Sequence, residues 1–188
     1  MDSLIKNGLL VTSTNQIQAS VGIKDGLIAG IYDPGEEPEA NEIIEAEGLA
    51  ILPGAVDMHS HHRQGSEPGF EYKDTIFTST QQCAAGGVTT SVAMPNVNPP
   101  PNTLDLLKKQ FAIYESDSIV DWNFNPAPTV NDEIPLLAKQ GIAAFKIFMV
   151  VDTGRNYPHM PGIGVHDHGR LLEIMQHCAK VNIPLMIH

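Results

Sequence analysis

The sequence is poor in cysteine and has no long apolar run. Cys83 and Cys178 form no CxxC motif and no pairing pattern, so we expect both thiols to be buried and reduced. No apolar stretch approaches the roughly 18 residues of a membrane-spanning helix, and no signal peptide opens the chain. These absences make the cytoplasm the expected location and argue against a membrane partner.

Basic residues are also scarce, with 11 Lys and Arg against 22 Asp and Glu and a net charge of −11. An acidic chain of this kind is a poor match for nucleic acid or an anionic membrane surface. It can still bind an anionic small molecule, because a local arginine and metal ions can dominate one pocket. At 188 residues, 42% hydrophobic and 18% charged, the composition is that of a soluble globular protein of one or two domains.

Residues 1–52 carry short β-branched runs and no helical period. Asn7-Gly8, Asp25-Gly26 and Pro34-Gly35 divide them, and Asp-Gly between such runs is typical of a hairpin. This segment is predicted to be the N-terminal part of a small β-sandwich. The predicted strands are Ser3–Thr12, Gln16–Lys24, Leu27–Tyr32 and Glu42–Glu45.

From Pro53 the chain alternates strands with helices, which predicts a parallel sheet. The strands are Ala55–Ser60, Val88–Met94, Ile119–Asn125, Ala143–Met149 and Pro184–His188. Polar residues that can cap helices follow each of the first four strands: Asp74 or Thr75, Thr103, Asn131 and Asp167.

Two of these helices have a predicted buried face. The first helix should run to Gln82 and stop at Gly86-Gly87. The apolar faces are Leu104, Leu107 and Phe111 in the second helix, and Leu171, Leu172, Ile174, Met175 and Cys178 in the fourth.

The segment Leu52–Arg63, LPGAVDMHSHHR, ends in a histidine cluster. Alternate side chains of a strand share a face, so His59 and His61 can hold one metal between them, while His62 points to the other face as a structural or solvated residue. The alternative for an isolated HxH is a solvated, histidine-rich loop end.

Four motifs in order, PGAVDMHSH, GGVTTSVAMPNVNPP, AAFKIFM and PLMIH, together resemble the cyclic amidohydrolases. This is the dihydroorotase, allantoinase and hydantoinase group of the amidohydrolase superfamily, and the resemblance runs from Leu4 to His188. It implies a (β/α)8 TIM barrel of metal-dependent hydrolases, begun at residue 53, beside the flanking β-sandwich. Five strands are fewer than eight, and a whole barrel needs about 250 residues, so we expect a truncated, N-terminal portion of a longer enzyme.

Lys146 lies in the apolar run AFKIFM. Burial disfavours an ammonium, so this lysine should lose its proton, and a neutral amine can react with carbon dioxide to form a carbamate. By resemblance, Lys146 is the carboxylated lysine that bridges two divalent metals, zinc by expectation, with His59, His61 and His188 as the other ligands. The alternative is a lysine that snorkels from a strand end. The family's general-base aspartate is expected beyond His188, so we expect this fragment to lack a catalytic residue of its own and to be inactive alone.

Arg63 and Asn96 match residues that hold the substrate carboxylate in dihydroorotases, Asn96 as part of the Met-Pro-Asn motif. A guanidinium fork fits a carboxylate bidentately. The alternatives are a surface ion pair for Arg63 and a turn-forming role for Asn96.

The chain also departs from the family. Val151 stands where hydantoinases carry a tyrosine five residues after the lysine. The long segment 150–166 is predicted to cover the substrate with Arg155 and Tyr157. We expect His159, His166 and His168, in or beside it, to be solvated.

The resemblance therefore implies metal-dependent hydrolysis of a cyclic amide, in which metals activate water and polarise the ring carbonyl. Dihydroorotate, interconverted with N-carbamoyl-aspartate, is the first choice of substrate, with allantoin and dihydropyrimidines or hydantoins as alternatives. A non-catalytic barrel that serves as a scaffold or partner subunit is the alternative from another class. We expect a homo-oligomer, a dimer or a tetramer.

Overall fold

The computed structural model describes residues 1–151 and 160–188. It divides into two compact units, Met1–Pro53 and Gly54–His188, and each is described by itself. The assignment of the first to a β-sandwich and of the second to a barrel stays a prediction.

The first unit is a single five-stranded sheet. The strands are β1 (Ser3–Val11), β2 (Gln16–Lys24), β3 (Leu27–Tyr32), β4 (Glu42–Glu45) and β5 (Ala50–Ile51). The order is β3-β2-β1-β4, with β5 also paired to β1; β2 is antiparallel to its two neighbours, whereas β4 and β5 run parallel to β1. The two-residue strand β5 was not predicted.

The pairs Asp25-Gly26 and Asn7-Gly8 have different roles in this sheet. Asp25 and Gly26 have φ values of 53° and 74° between the paired residues Lys24 and Leu27, so the predicted hairpin is confirmed, with both turn residues left-handed as a type I′ turn requires. Asn7-Gly8 does not divide two strands. The register of β1 shifts between Ile5 and Gly8, and Asn7 has a φ of 59°, which makes the pair a bulge inside one strand.

The second unit alternates strands and helices. Its elements are β6 (Ala55–Ser60), α1 (Ile76–Ala85), β7 (Val88–Ala93), α2 (Leu104–Asp117), β8 (Asp121–Phe124), a 3₁₀ turn (Asn131–Glu133), α3 (Ile134–Ala138), β9 (Phe145–Ile147), α4 (His168–Val181) and β10 (Leu185–Ile187). Strands β6-β7-β8 form one parallel sheet and β9-β10 another. The amide of Lys146 donates to the carbonyl of Pro126 at 3.0 Å, which links β9 to the segment after β8. The predicted mixed α/β arrangement is confirmed, while a closed barrel is not seen in the described residues.

Most helix starts follow their predicted caps. The side chains of Thr75, Thr103 and Asp167 each accept from the backbone amide three residues ahead. The cap predicted at Asn131 is wrong: Glu133 precedes α3 without a side-chain bond. A 3₁₀ turn leads the chain into α3, and the side-chain Nδ2 of Asn131 instead donates to the Glu173 carboxylate at 2.7 Å.

The core of this unit lies between the helices and the parallel strands. Leu107 and Ile174 are fully buried. The stripe predicted for α4 is narrower than expected, because Leu172 and Met175 are 56% and 45% exposed. An aromatic cluster joins α2 to β8, with centroids 5.0 Å apart for Phe111–Trp122 and Tyr114–Trp122 and 6.1 Å apart for Tyr114–Phe124. None of the helices in residues 1–151 and 160–188 is long and apolar enough to cross a membrane.

Candidate functional site

The predicted site residues lie at or beyond the carboxyl ends of parallel strands. His59 and His61 lie at the end of β6, Asn96 follows β7, Lys146 is the middle residue of β9, and His188 follows β10. Backbone bonds keep these ends in register: Met94 donates to Ser60 at 2.9 Å, and Met149 donates to His188 at 2.7 Å. Ligand sites of parallel α/β proteins occupy this end of the strands.

His59 and His61 have the spacing of two ligands of one metal. Their ring centroids are 5.2 Å apart. Two imidazoles bound tetrahedrally to one zinc, with Zn–N bonds of about 2.0–2.1 Å, place their centroids about 5 Å apart. His59 is exposed and His61 is half-buried, so solvent can reach the pair. The spacing of the two rings fits a shared metal.

Asn96 contacts His61 directly. Its Oδ1 lies 2.7 Å from His61 Nδ1, and Asn96 is 3% exposed. Because an amide oxygen only accepts, this contact places the proton on Nδ1 and leaves Nε2 with a lone pair for a metal. The substrate-binding role predicted for Asn96 would then fall to its Nδ2 donor, and the alternative of a merely turn-forming residue does not account for the bond.

The electrostatic surroundings favour a neutral, metal-binding imidazole at His61. Burial is the largest cause that lowers the pKa of His61, and the bond to Asn96 acts in the opposite direction. The positive charges of Arg63 and His59 lower this pKa further, which places Arg63 in the neighbourhood of the histidine pair.

Lys146 is buried, with 2% of its surface exposed. Burial lowers the pKa of its amine, as the apolar strand predicted. The alternative of a lysine snorkelling to solvent is wrong. Burial thus shifts the amine towards its neutral form, which is the form that carbamate formation requires.

The ring of Phe148 lies near both Lys146 and His188. Lys146 Nζ lies 5.1 Å from the Phe148 centroid, and the Phe148 and His188 centroids are 5.6 Å apart. His188 itself is exposed. Across the described residues, no group of three or more His, Cys, Asp and Glu side chains is placed to hold a metal. Three of the four predicted ligands are histidines, so the structure brings His59 and His61 together but does not bring His188 to them.

Arg63 is half-buried and forms no ion pair with any described residue. The surface ion pair considered as the alternative is therefore not seen among residues 1–151 and 160–188. His166 and His168 are exposed, as predicted. Arg155, Tyr157 and His159 lie outside the described residues.

His62 was predicted as a structural or solvated residue, and the solvated option is wrong. It is 3% exposed. Its Nδ1 lies 3.0 Å from the Tyr114 hydroxyl and its Nε2 lies 3.1 Å from Ser91 Oγ. Alternation of side chains along the strand indicated the direction of the His62 ring. Its partners Tyr114 and Ser91 are 52 and 29 residues away in the sequence, and no local motif indicated them.

The loops that carry Arg63 and Asn96 are docked on each other. Gln64 accepts the first amide of α1 through its side chain at 2.9 Å and accepts Gln110 Nε2 through its carbonyl at 2.9 Å. The carbonyl of Asn98 accepts the amide of Glu67 at 3.0 Å. These bonds leave little freedom in the chain beside Arg63.

Gly65→Ala should disturb this docking, because a Cβ at Gly65 would lie 2.0 Å from the Asn98 carbonyl oxygen. Backbone cannot move aside as a side chain can, so we expect a loss of about 1–3 kcal/mol in the free energy of unfolding of the full-length protein. Denaturant titration measures it. Gly86→Ala is the control, since its Cβ would meet only an ordinary contact at 3.4 Å. Equal stabilities of the two variants would contradict the docking.

Comparison with known proteins agrees with these features. A family model described as dihydro-orotase-like matches residues 48–132. A dihydroorotase of Enterococcus faecalis is 34% identical over 189 aligned residues, covering 100% of this chain and 42% of the relative. An allantoinase of Rubrobacter xylanophilus is 33% identical, covering 100% of this chain and 39% of the relative.

Solved structures show the same relationship. An L-hydantoinase (dihydropyrimidinase) from Arthrobacter aurescens superposes with a TM-score of 0.81 at 27% identity, covering 100% of this chain and 40% of that one. The chain thus spans about 40% of the length of the relatives it matches. The chain is a homologue of the cyclic amidohydrolases, the group that contains the dihydroorotases, allantoinases and hydantoinases.

Proposed function

We propose that the full-length protein is a metal-dependent hydrolase that opens or closes a cyclic amide, with dihydroorotate and N-carbamoyl-aspartate as its pair of reactants. The observation that carries the proposal is the histidine pair at the end of β6, whose ring centroids lie 5.2 Å apart, the spacing of two ligands of one metal. The relatives named dihydroorotases support the choice of ring.

In this proposal His59, His61, His188 and a carboxylated Lys146 hold two divalent metals, with zinc the expected ion. When bound, these metals supply a Lewis acid for the ring carbonyl and a water of lowered pKa. The chain's own residues do the positioning. Asn96 orients the His61 ring through the 2.7 Å contact at Nδ1, and the hydrogen-bonded loop fixes the backbone next to Arg63.

Arg63 decides the substrate class. Dihydroorotate and N-carbamoyl-aspartate carry a carboxylate, whereas hydantoin and dihydrouracil are uncharged rings. A half-buried guanidinium without an ion pair in the described chain is a suitable partner for that carboxylate. Hydantoinase chemistry is the second candidate, favoured by the TM-score of 0.81 to an L-hydantoinase.

Arg63→Met tests this choice in the metal-loaded, full-length protein. Removing one partner of a desolvated charged pair costs about 2–5 kcal/mol, so kcat/KM on the acidic ring should fall roughly 30-fold or more at about 1.4 kcal/mol per tenfold. Turnover of dihydrouracil and hydantoin should change little. Dihydroorotate, allantoin, hydantoin and dihydrouracil are assayed side by side.

Lys108→Met is the control, because it removes a positive charge from the exposed face of α2. It should leave all four rates unchanged. Equal losses of the Arg63 variant on charged and neutral rings would mean that Arg63 supports the loop, and the substrate would then be sought among allantoin and the hydantoins.

A further inference from the structure

A buried histidine, His62, stands between two residues assigned to the site and itself faces away from it. We propose that His62, Ser91 and Tyr114 form a clamp, called here the His62 clamp, that positions His61 and Arg63. This inference rests on the proposed function, since it concerns how the metal ligand and the carboxylate-binding arginine are held.

The clamp ties the chain after β6 to two other elements. Tyr114 in α2 and Ser91 in β7 are both fully buried. The Tyr114 hydroxyl is 3.0 Å from His62 Nδ1, and Ser91 Oγ is 3.1 Å from Nε2. The His62 and Tyr114 rings also stack, with centroids 5.7 Å apart and planes 28° apart.

One neutral tautomer of His62 satisfies both hydroxyls. Burial raises the pKa of the Tyr114 phenol well above its ordinary value, so the phenol keeps its proton and can donate to Nδ1. Nε2–H can then donate to Ser91 Oγ. Both ring nitrogens are thereby bonded, and the imidazole has one fixed orientation in the core.

The direction of His62 determines the direction of its neighbours. β6 ends at Ser60, and where a chain continues beyond a strand in an extended form, alternate side chains face opposite sides. The burial pattern follows this rule: Ser60 and His62 are buried at 8% and 3%, while His61 and Arg63 are half-buried. With His62 drawn into the core, His61 is directed to Asn96 and Arg63 to the same side.

An apolar residue at position 62 would leave the hydroxyls of Ser91 and Tyr114 buried without their partner. Either the backbone around residue 62 or the two hydroxyl groups must then shift, and we expect the orientation of His61 and Arg63 to change as a result. The expected signature is a loss of metal affinity and of substrate affinity that exceeds what a general loss of stability produces.

The test compares His62→Leu with Leu137→Ala in the full-length protein. Leu137 is fully buried in α3 and forms none of the clamp's hydrogen bonds, so its truncation should lower the midpoint of thermal unfolding while the three clamp side chains stay in place. His62→Leu should weaken zinc binding, measured by competition with a chelator, by about tenfold or more, the range seen when residues that orient metal ligands are lost. It should also raise KM for dihydroorotate. Leu137→Ala should leave the zinc affinity unchanged.

Two conservative variants keep the test decisive if His62→Leu does not fold. His62→Gln retains an amide that can reach Ser91, and we expect it to recover zinc affinity to within about threefold of the wild type. Tyr114→Phe keeps the stacked ring and removes one hydroxyl, and it should weaken zinc binding by a few-fold.

A His62→Leu or Tyr114→Phe protein with lowered thermal stability and wild-type zinc affinity would overturn the clamp and leave the proposed function intact. Failure of the wild-type protein to bind zinc would instead overturn the proposed function, and the clamp with it. Zinc affinity lost in His62→Leu, regained in His62→Gln and kept in Leu137→Ala would establish the clamp.

Discussion

Lys146→Ala should leave the full-length, metal-loaded enzyme without measurable turnover. In the proposed function this lysine bridges both metals as a carbamate, and alanine supplies neither the charge nor the oxygen ligands. The structure supports the reactive form of the amine, since Lys146 is 2% exposed and burial lowers its pKa. The rate of ring opening and the metal content per chain are the measurements.

Short carboxylic acids should partly restore this variant. Acetate or propionate has the shape and charge of the carbamate end and can enter the space that the lysine leaves. Lys139→Ala, which removes an exposed lysine next to α3, is the matched control and should keep full activity without any added acid. An intact mass and an electron-density map that show an unmodified lysine in an active, metal-loaded enzyme would refute the carbamate.

His59→Ala should abolish metal binding in the full-length protein. In the proposed function His59 and His61, whose ring centroids are 5.2 Å apart, share one metal, and a two-metal site rarely survives the loss of a ligand from its first strand. Metal analysis of the purified variant, after exposure to excess zinc and removal of unbound metal, measures the effect.

His166→Ala serves as the control for His59→Ala, because it removes an exposed histidine that the proposed function does not use. It should retain the metal content of the wild type. A His59→Ala protein that keeps that content as well would defeat the assignment of the strand-end histidines, and the non-catalytic scaffold would become the stronger interpretation.

Local signals determined much of the fold. The strands β2, β3, β4 and β6 have the predicted bounds, and the turn residues Asp25 and Gly26, both with positive φ, separate β2 from β3 in the sequence. The capping residues Thr103 and Asp167 were predicted correctly for the same reason, since a cap bonds an amide only three residues away.

Features that depend on distant partners were predicted less well. The strand β9 is three residues long, Phe145–Ile147, rather than Ala143–Met149, because a strand extends only as far as its neighbour pairs with it. Leu172 and Met175 are apolar and yet exposed, since the periodicity of a helix does not state how wide a face its neighbours cover.

In the candidate site, too, features set by local sequence were predicted and contacts with distant residues were not. The placement of His59 and His61 follows from alternation along one strand, and the burial of Lys146 follows from the apolar residues beside it. The contact of Asn96 with His61 spans 35 residues and was not predicted, because the Met94-Pro95-Asn96 motif indicated only a substrate-binding or turn-forming residue. The partners of His62 were missed entirely.

The aromatic cluster between α2 and β8 gives the protein a built-in optical reporter. The sequence contains one tryptophan, and its indole, Trp122, lies 5.0 Å from the ring of Tyr114, whose hydroxyl contacts His62. Indole emission responds to the packing and polarity around the ring, and no second indole in these 188 residues competes with it. Movement of Tyr114 away from His62 would therefore register as a change in the fluorescence of a single, unlabelled residue.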